Sequence, residues 1–429
     1  MVELPDEFVK RMRARLGADF ENFLKSYEKP PVKGVRVNTL KLSESEFEKI
    51  SPIKLCGKVS WADGGYYTEG DGLGKTILHA AGVYYVQEPS AMCAAPELQA
   101  KTGERVLDLC SAPGGKGTQI AQYMQGGGIL VLNEIDARRC SVLRGNVERT
   151  GVRNACVKNS SPENLAVVYK NYFDKILVDA PCSGEGMFKK EDAAVREWSV
   201  KNILSCAARQ SKILESADKM LAVGGRLVYS TCTFAEEEDE RQVETFLKLH
   251  PEYRLVKMKK LYPHEVNGEG HFCAVMEKTD GERAEDFRRK PVRSSPPEFA
   301  AAVKEFVKFS NETFTAVFGN ITPFKYGAGV RLFSAVDGLP SDEWSGVCLG
   351  DFLNGRFVPN HALAMSLKMG QFEGVEADAE TALKYLKGLT FDCSAKNGWR
   401  IVSYMGFPLG WCKIVNGIAK NHLPQGIRI

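Results

Sequence analysis

The sequence lacks the marks of several large protein classes. No apolar run is long enough to span a membrane, and the acidic first residues, MVELPDE, do not resemble a secretory signal. The twelve cysteines form no CxxC pair and, with only six histidines present, no Cys/His cluster at the spacing of a zinc site. We therefore expect a cytoplasmic protein with no membrane partner, no metal and no disulfide framework, and we expect most cysteines to be small buried residues.

An excess of charge of one sign is also missing. The net charge is only +3, so composition alone does not predict a nucleic-acid partner. Three short runs are basic, at residues 10–15, 257–260 and 288–290, and each is equally typical of a solvated helix or loop face. Two nucleotide-binding signatures, G-x-G-x-x-G and G-x-x-x-x-G-K-[ST], are absent, which disfavours dinucleotide-binding and P-loop proteins.

Length and pattern divide the chain into several units. At 429 residues the chain is too long for a single core. We predict a small α+β domain at 1–85, an α/β domain at 86–285, a charged Pro/Ser-rich linker at 286–297, an intermediate α+β domain at 298–370 and a β-rich domain at 371–429.

Within the second unit, short apolar strands alternate with amphipathic helices, which is the pattern of a Rossmann-like parallel α/β sheet. An antiparallel pair follows and is predicted to form one edge of that sheet. The predicted parallel strands lie at residues 105–109, 129–133, 155–158, 175–179 and 226–230, and the edge pair at 253–258 and 271–277.

A glycine-containing turn follows the first parallel strand. Residues 108–118 read DLCSAPGGKGT, in which Gly114 and Gly115 permit positive φ and a close approach of a ligand to the backbone. The next helix presents free N–H groups to an anionic ligand group. Glu134, after the second strand, is placed to bind ribose hydroxyls. These residues suit an adenosine-containing cofactor, and a tight turn without a ligand is the alternative.

Two cysteines lie at the C-terminal ends of neighbouring strands, Cys182 after the fourth and Cys232 after the fifth. Ligands gather at that edge of open α/β sheets, so both thiols are predicted to face one pocket. One reaction that needs a thiol at such a site is methylation of cytosine at C5. A thiolate that adds to C6 of cytosine makes C5 nucleophilic enough to take a methyl group from a sulfonium. Asp179 is placed to hydrogen-bond to N3 and the exocyclic amine of that base. Two buried structural cysteines are the alternative.

An acidic run, EEEDE at residues 236–240, follows Cys232. We predict that it forms the first turn of a helix, where carboxylates complement the helix dipole. Carboxylates raise the pKa of a nearby thiol, so activation of Cys232 must come from elsewhere, and the N-terminus of this helix is the candidate.

Six segments carry a family resemblance: VRVNTLK (35–41), YYVQEPSAM (84–92), DLCSAPGGK (108–116), NEIDARR (133–139), VDAPCSGEGMF (178–188) and YSTCTF (229–234). Together they resemble the NSUN family of RNA cytosine-C5 methyltransferases, and within it the bacterial RsmF-type branch that acts on small-subunit ribosomal RNA. The resemblance implies a Rossmann-like methyltransferase domain, S-adenosyl-L-methionine as cofactor and RNA as partner.

The resemblance assigns cofactor roles residue by residue. Glu134 holds the ribose, Arg139 supports the loop of Glu134, and Ser161 lies near the adenine, where the family often has an aspartate. The methionine portion of the cofactor is implied to lie against the glycine-containing turn, at Cys110, Ser111, Ala112, Pro113, Gly114, Gly115 and Lys116.

The resemblance also assigns catalytic roles. Cys232 is implied to be the nucleophile, Cys182 to assist release of the methylated product, and Asp179 to lie where cofactor and base meet. Two functions from other classes remain open. One is an RNA-binding ribosome-assembly factor with vestigial catalysis, and the other is a DNA methyltransferase that uses Cys182 as its nucleophile.

The end of the chain resembles the PUA-like RNA-binding barrel of the same branch, on residues 346–365 and 406–424. Lys413, Lys420 and Arg428 would then be its phosphate-facing cations. We expect the first and last domains to bind RNA, either ribosomal RNA of the small subunit or an assembling subunit, and we expect a monomer.

Overall fold

The computed structural model describes residues 3–285, 296–340 and 345–429. The strands in these ranges form four separate sheets. The predicted linker at 286–297 and the basic run at 288–290 lie almost entirely outside the described residues. Pro297, the last residue of that linker, is instead the first residue of a helix.

The N-terminal unit is a four-stranded sheet with the order β2-β3-β1-β4, flanked by helices. Ser43 begins its third helix through a capping box with Glu46, which satisfies two free N–H groups. The predicted boundary after residue 85 falls inside the last strand, so the unit extends to Val86. Its elements are α1 (Asp6–Leu16), α2 (Phe20–Ser26), β1 (Lys33–Val37), α3 (Glu44–Ile50), β2 (Leu55–Lys58), β3 (Gly65–Thr68), α4 (Ile77–Ala80) and β4 (Tyr84–Val86).

The central unit is a seven-stranded sheet with the order β10-β11-β9-β8-β5-β6-β7. Strands β5 to β9 pair in parallel, and β11 and β10 add an antiparallel edge next to β9. The predicted Rossmann-like α/β fold with an antiparallel edge is confirmed. Its elements are α5 (Ala94–Leu98), β5 (Arg105–Asp108), α6 (Gly115–Met124), β6 (Ile129–Asn133), α7 (Ala137–Thr150), β7 (Ala155–Lys158), α8 (Pro162–Val168), β8 (Phe173–Asp179), α9 (Asp192–Glu197), α10 (Val200–Met220), β9 (Leu221–Thr231), α11 (Glu240–Leu249), β10 (Tyr253–Leu261) and β11 (His271–Lys278).

Two apolar layers hold this sheet. Every residue of β5 and β6 is buried, because helices cover both faces of the parallel strands. Alternate residues enter opposite layers: Leu107 and Val131 belong to one, Val106 and Leu130 to the other. The parallel strands therefore present their C-terminal ends along one rigid edge, and the site lies there.

Two smaller sheets complete the chain. The intermediate unit has the order β12-β13-β14-β15 and the C-terminal unit the order β16-β18-β19-β20-β17, so the C-terminal region is rich in β structure as predicted. Their elements are α12 (Pro297–Thr313), β12 (Ile321–Tyr326), β13 (Gly329–Ser334), β14 (Val347–Leu353), β15 (Arg356–Pro359), α13 (His361–Met365), β16 (Gly374–Glu376), α14 (Ala379–Leu386), β17 (Phe391–Asp392), β18 (Gly398–Tyr404), β19 (Phe407–Val415) and β20 (Ile418–Asn421).

The C-terminal unit packs against the N-terminal one. A single apolar cluster contains Val35, Phe47 and Tyr84 from the N-terminal unit together with Tyr385 and Val402 from the C-terminal unit. All five side chains are fully buried. Removing the chain after residue 297 would therefore expose a core that two domains share, so point substitutions test the C-terminal domain more cleanly than truncation does.

Two findings concern whole classes of residue. No helix among the described residues is long and apolar enough to cross a membrane. All twelve cysteines are described, and none forms a disulfide. Most of those outside the motifs are buried, but the expectation is wrong for Cys56, which is exposed, and only partly met by Cys348 and Cys393, which are half-buried.

Candidate active site

A cleft of about 670 Å³ opens at the C-terminal edge of the parallel strands. We call it the strand-end cleft. Its volume is typical of sites for small molecules and cofactors. The predicted site residues that line it are Cys110, Ala112, Glu134, Arg139, Asp179, Cys182 and Cys232.

Glycine shapes the turn from β5 into α6. Gly114 has a φ of +109°, which a residue with a side chain rarely adopts. A Cβ on Gly117 would lie 2.7 Å from both a methyl carbon of Leu132 and the hydroxyl of Ser111, so only glycine lets α6 pack this closely on β6. The Ser111 hydroxyl donates to the buried carboxylate of Asp108 at 2.8 Å instead of facing the cleft. Burial raises the pKa of Asp108 to about 7.

Glu134 is buried at the end of β6, with its carboxylate in the wall of the cleft. One oxygen accepts the N–H of Asp136 at 3.0 Å, and the other lies 3.2 Å from a guanidinium nitrogen of Arg139. Arg139 also donates to the carbonyl oxygen of Ala112 at 2.8 Å. Arg139 thus ties the acidic loop to the glycine-containing turn, and the two halves of the predicted cofactor site are fixed relative to each other.

The predicted adenine-side residue has another role in the structure. Ser161 is the N-cap of α8, where its hydroxyl accepts the N–H of Asn164 at 3.3 Å. The neighbouring Pro162 and the exposed Ile135 line the cleft in its place. Sequence reasoning missed both, because it looked for a polar contact, whereas an apolar ring face is recognised by apolar side chains.

The two predicted thiols meet in this cleft. Cys182 Sγ and Cys232 Sγ lie 3.2 Å apart, on loops that leave the adjacent strands β8 and β9. The hydrogen bond between the thiols and their burial raise the pKa of Cys182 well above that of an ordinary thiol. The condition that both sulfurs share one pocket is therefore met.

Hydrogen bonds join the two cysteine loops directly. The N–H of Gly186 donates to the carbonyl oxygen of Cys232 at 2.8 Å, and the hydroxyls of Ser183 and Thr233 are 2.8 Å apart. The buried carboxylate of Glu185 accepts the N–H of Phe234 at 2.9 Å. These bonds fix the distance between the two sulfurs, and they explain why polar residues surround both cysteines in the sequence.

Asp179 forms a cluster with a buried lysine and a buried histidine. Its carboxylate accepts from Lys116 Nζ at 2.7 Å and from the Ser230 hydroxyl at 2.8 Å, and His271 Nε2 lies 3.6 Å away. Burial raises the pKa of Asp179, but Lys116 and His271 outweigh it and hold that pKa well below its usual range. Lys116, predicted to bind the methionine portion of the cofactor, therefore places its ammonium on Asp179. Sequence reasoning missed His271, whose strand joins the site only through the antiparallel edge.

The prediction for the acidic run after Cys232 is wrong. The helix begins at Glu240, so Glu236 to Asp239 precede it, and its N-terminus does not reach Cys232. Glu238 instead accepts the N–H of Ser183 at 3.0 Å, and Asp239 pairs with Lys260 at 2.6 Å. The buried carboxylates of the acidic run accept hydrogen bonds from backbone and side-chain donors of the cysteine loops. The run therefore supports those loops.

The described basic runs are also largely used inside the molecule. Arg11 pairs with Glu237 at 2.6 Å and Arg15 with Glu240 at 2.9 Å. In the second run, Lys257 and Lys259 both bind the carboxylate of Glu97, at 2.7 and 2.9 Å, and Lys260 binds Asp239. Neither run is available as a free cationic surface for nucleic acid.

Comparison with known proteins agrees with this fold. Residues 95–277 match the family described as 16S rRNA methyltransferase RsmB/F. Residues 4–89 match the N-terminal domain of 16S rRNA methyltransferase RsmF, and residues 372–429 match the methyltransferase RsmF PUA domain. The protein is thus a methyltransferase with a Rossmann-like catalytic domain, an RsmF-type N-terminal domain and a PUA domain.

Full-length relatives narrow the class. The chain is 31% identical to ribosomal RNA small subunit methyltransferase F of Vibrio vulnificus strain YJ016, over 99% of this chain and 97% of that protein. It is 30% identical to the enzyme of the same name from Klebsiella pneumoniae strain 342, over 99% of this chain and 96% of that protein. The chain belongs to this family of ribosomal RNA methyltransferases, named RsmF.

Solved structures show the same fold. A methyltransferase homologue from Pyrococcus horikoshii superposes with a TM-score of 0.56 at 28% identity, covering 64% of this chain and all of that one. NSun6 from the same organism, solved with SFG, superposes with a TM-score of 0.59 at 22% identity, covering 65% of this chain and 99% of that one.

Proposed function

We propose that this methyltransferase forms 5-methylcytosine in small-subunit ribosomal RNA, with S-adenosyl-L-methionine as the methyl donor. The observation that carries the proposal is the pair of thiols 3.2 Å apart in the strand-end cleft. The half-buried Asp179 and the buried Glu134 line the same cleft. Methyl transfer to most oxygen or nitrogen acceptors needs no thiol, whereas C5 of cytosine must be activated by addition at C6.

The residues that line the cleft fit this cofactor. The Glu134 carboxylate is the acceptor that ribose hydroxyls need, and Ile135 with Pro162 suits the adenine face. The N-terminus of α6, which follows the lining residues Cys110 and Ala112 in the chain, suits a carboxylate group. A neighbour of the same fold was solved with SFG, an analogue of S-adenosyl-L-methionine. When bound, this cofactor supplies an electrophilic methyl group on a sulfonium.

Cys232 is the proposed nucleophile. The raised pKa of Cys182 keeps that thiol protonated, and a protonated thiol 3.2 Å away stabilises a thiolate on Cys232 through a hydrogen bond. This arrangement takes the place of the helix N-terminus that the sequence suggested. Once Cys232 is bonded to C6 it carries no charge, so Cys182 can give its proton to solvent and act as a thiolate base. After methyl transfer Cys182 accepts the C5 proton, the electrons of that C–H bond form the C5=C6 double bond, and Cys232 leaves C6 as a thiolate, which restores the aromatic ring.

Asp179 and Lys116 are the residues proposed to recognise the target base through hydrogen bonds. An ionised carboxylate accepts from the exocyclic amine of cytosine but repels the N3 lone pair, so N3 needs a donor. The Lys116 ammonium, 2.7 Å from Asp179, supplies that donor. Uracil presents the opposite pattern, an acceptor at O4 and a donor at N3, so the pair favours cytosine. The target base must leave its stack to reach them.

The outer surface of the C-terminal sheet suits the RNA backbone. Trp399, Lys413 and Lys420 are direct neighbours across β18, β19 and β20, and both lysines are exposed. Arg428, predicted as a third phosphate contact, instead donates from its guanidinium to the carbonyl oxygen of Leu423 at 2.9 Å. The two lysines beside an indole ring are therefore the proposed contacts of this domain.

The decisive experiment separates the roles of the two thiols. Cys182→Ala should still attack C6 and transfer the methyl group, more slowly because Cys232 loses the hydrogen bond from Cys182, but it should stall afterwards and give a denaturant-resistant protein–RNA band on small-subunit ribosomal RNA. Cys232→Ala and the Cys182→Ala/Cys232→Ala double variant should give no band and no methylated base. Cys56→Ala removes an exposed thiol outside the cleft and serves as the matched control.

Each alternative has its own signature in that experiment. A band with Cys232→Ala but not with Cys182→Ala would reverse the assignment and favour the DNA-type arrangement. Two structural cysteines predict lower stability for both variants and no adduct. A vestigial enzyme predicts no methyl transfer by the wild-type protein to any RNA, with ribosome assembly unaffected by Cys232→Ala.

A further inference from the structure

A second concave surface lies on the N-terminal side of the strand-end cleft. It is a groove of about 730 Å³ between the glycine-rich loop 70–75 and the chain segment that carries Lys189 and Lys190. We call it the lysine groove. Its floor is formed by residues 31–34 and 86–88. None of the roles proposed above for the catalytic residues uses it.

Two of the four lysines that line this groove are neutralised inside the protein. Lys33 lies 2.7 Å from Asp71, and Lys189 lies 3.0 Å from the buried carboxylate of Glu269. Lys75 and Lys190 are exposed, and neither has an ion-pair partner among the described residues. Neither ammonium group is held in an ion pair within the described part of the protein, although the Glu88 and Glu269 carboxylates attract the Lys190 ammonium through space.

The acidic residue on the floor, Glu88, attracts Lys190 but is bound mainly by backbone donors. The Glu88 carboxylate accepts the N–H groups of Ser90, Ala91 and Glu269 at 2.8–2.9 Å, so peptide donors already solvate its charge. An anion that enters the groove therefore meets two free lysines and a carboxylate directed into the backbone.

The glycine-rich loop leaves room for an extended ligand. Gly70 and Gly72 have φ values of +94° and +70°, and a Cβ at either position would touch nothing within 4 Å. The positive φ values favour glycine at both positions, and because no side chain is present the loop backbone is open to close approach from the groove side.

The groove adjoins the strand-end cleft through one short segment. Met187 and Glu191 line the strand-end cleft, whereas Lys189 and Lys190 between them line the groove. The N–H groups of Lys190 and Glu191 both donate to the Met187 carbonyl oxygen, at 2.8 and 2.9 Å, which holds the segment in a tight turn. This turn therefore lies between the groove and the cleft and borders both.

We propose that the lysine groove holds the sugar–phosphate backbone of the RNA strand next to the target cytidine, with Lys75 and Lys190 on phosphates. This inference rests on the proposed RNA substrate and adds the track by which that RNA reaches the cleft. Lysine is suited to such contacts, since it acts as a point charge and carries no sequence preference.

The test compares two charge-matched double variants. Lys75→Ala/Lys190→Ala removes the proposed contacts, and Lys248→Ala/Lys308→Ala removes two exposed lysines on α11 and α12. The probe is a single-stranded RNA fragment that the wild-type enzyme methylates, with binding measured by fluorescence anisotropy across a range of salt concentrations. Calorimetric affinity for S-adenosylhomocysteine and the urea midpoint serve as readouts of folding.

We expect the groove variant to bind the RNA at least tenfold more weakly at low salt. When the logarithm of the binding constant is plotted against the logarithm of the salt concentration, the slope for this variant should be shallower by about 1.4. Each of the two lost phosphate contacts on a single strand contributes about 0.7 to that slope. Cofactor affinity and urea midpoint should match the control, and Lys75→Arg/Lys190→Arg should restore binding.

If the groove variant has the same RNA affinity and salt slope as the control variant, the lysine groove does not bind the RNA backbone. The proposed reaction would be unaffected by that result. Failure of the wild-type enzyme to methylate RNA at all would instead overturn the proposed function on which the groove rests.

Discussion

Arg36 connects the N-terminal domain to the cofactor turn and allows a quantitative prediction. Its guanidinium is 1% exposed and donates to the carbonyl oxygen of Gly115 at 2.9 Å and to the Thr118 hydroxyl at 2.8 Å. It also donates to the side-chain oxygens of Gln87, at 3.1 Å, and Gln122. Gly115 and Thr118 belong to the first turn of α6, so one side chain from β1 fixes the helix that shapes the cofactor site.

The magnitude of Arg36→Met follows from two opposing effects. Hydrogen bonds from a charged donor are each worth about 1.5–3 kcal/mol, so four of them amount to roughly 6–12 kcal/mol. Burial lowers the pKa of Arg36 to about 10, which corresponds to a desolvation cost of about 3 kcal/mol. The hydrogen bonds outweigh the desolvation cost. We therefore expect Arg36→Met to lower the free energy of unfolding by about 3–5 kcal/mol, as when one partner of a buried charged network is removed.

Urea unfolding and calorimetry with S-adenosylhomocysteine measure this prediction. Arg36→Met should lower both the urea midpoint and the cofactor affinity, because the first turn of α6 loses its anchor. Arg36→Lys keeps the charge but loses the planar fork of donors, so it should lie between the variant and the wild type. A free energy of unfolding within about 1 kcal/mol of wild type for Arg36→Met would refute the reasoning, since the buried acceptors would then have found other donors.

Three further predictions concern single sites. Glu134→Ala should weaken binding of S-adenosylhomocysteine by about 1.5–3 kcal/mol, because ribose hydroxyls lose a charged acceptor; unchanged affinity by calorimetry would exclude Glu134 from the site. The raised pKa of Asp108 means that the folded state keeps a proton that the unfolded state loses, so wild-type stability should fall between about pH 4 and pH 7, by up to about 4 kcal/mol. Asp108→Asn should remove that part of the slope in urea midpoints measured against pH, and equal slopes would contradict the assignment. Lys413→Ala/Lys420→Ala should weaken RNA binding in a filter assay, whereas Arg428→Ala should mainly increase hydrogen exchange at the C-terminus; an equal loss of RNA affinity with Arg428→Ala would restore it as a phosphate contact.

The strands of the central sheet were predictable because their signals are local. The strand at 129–133 and the strand at 155–158 are predicted with the bounds that the structure shows. Continuous burial makes such strands apolar at every position, and helices between parallel strands leave their own periodicity. The prediction for the acidic run after Cys232 was wrong for the opposite reason. The carboxylates of this run are partners of distant donors and do not cap a local helix.

The sequence by itself determined which chemical groups are present and which edge of the sheet they occupy. The cysteines, Asp179 and Glu134 follow strands, and the C-terminal ends of parallel strands must meet along one edge. The family could also be read from the motif residues, since their order along the chain is a property of the sequence alone.

Only the tertiary structure decided how these groups are combined. The 3.2 Å contact between the sulfurs, the ammonium of Lys116 on Asp179 and the place of His271 beside them all join segments far apart in the chain. The packing of the last domain on the first is of the same kind. Local periodicity records which face of an element is buried but not which distant element covers it, because that choice depends on the shape and charge of both surfaces together.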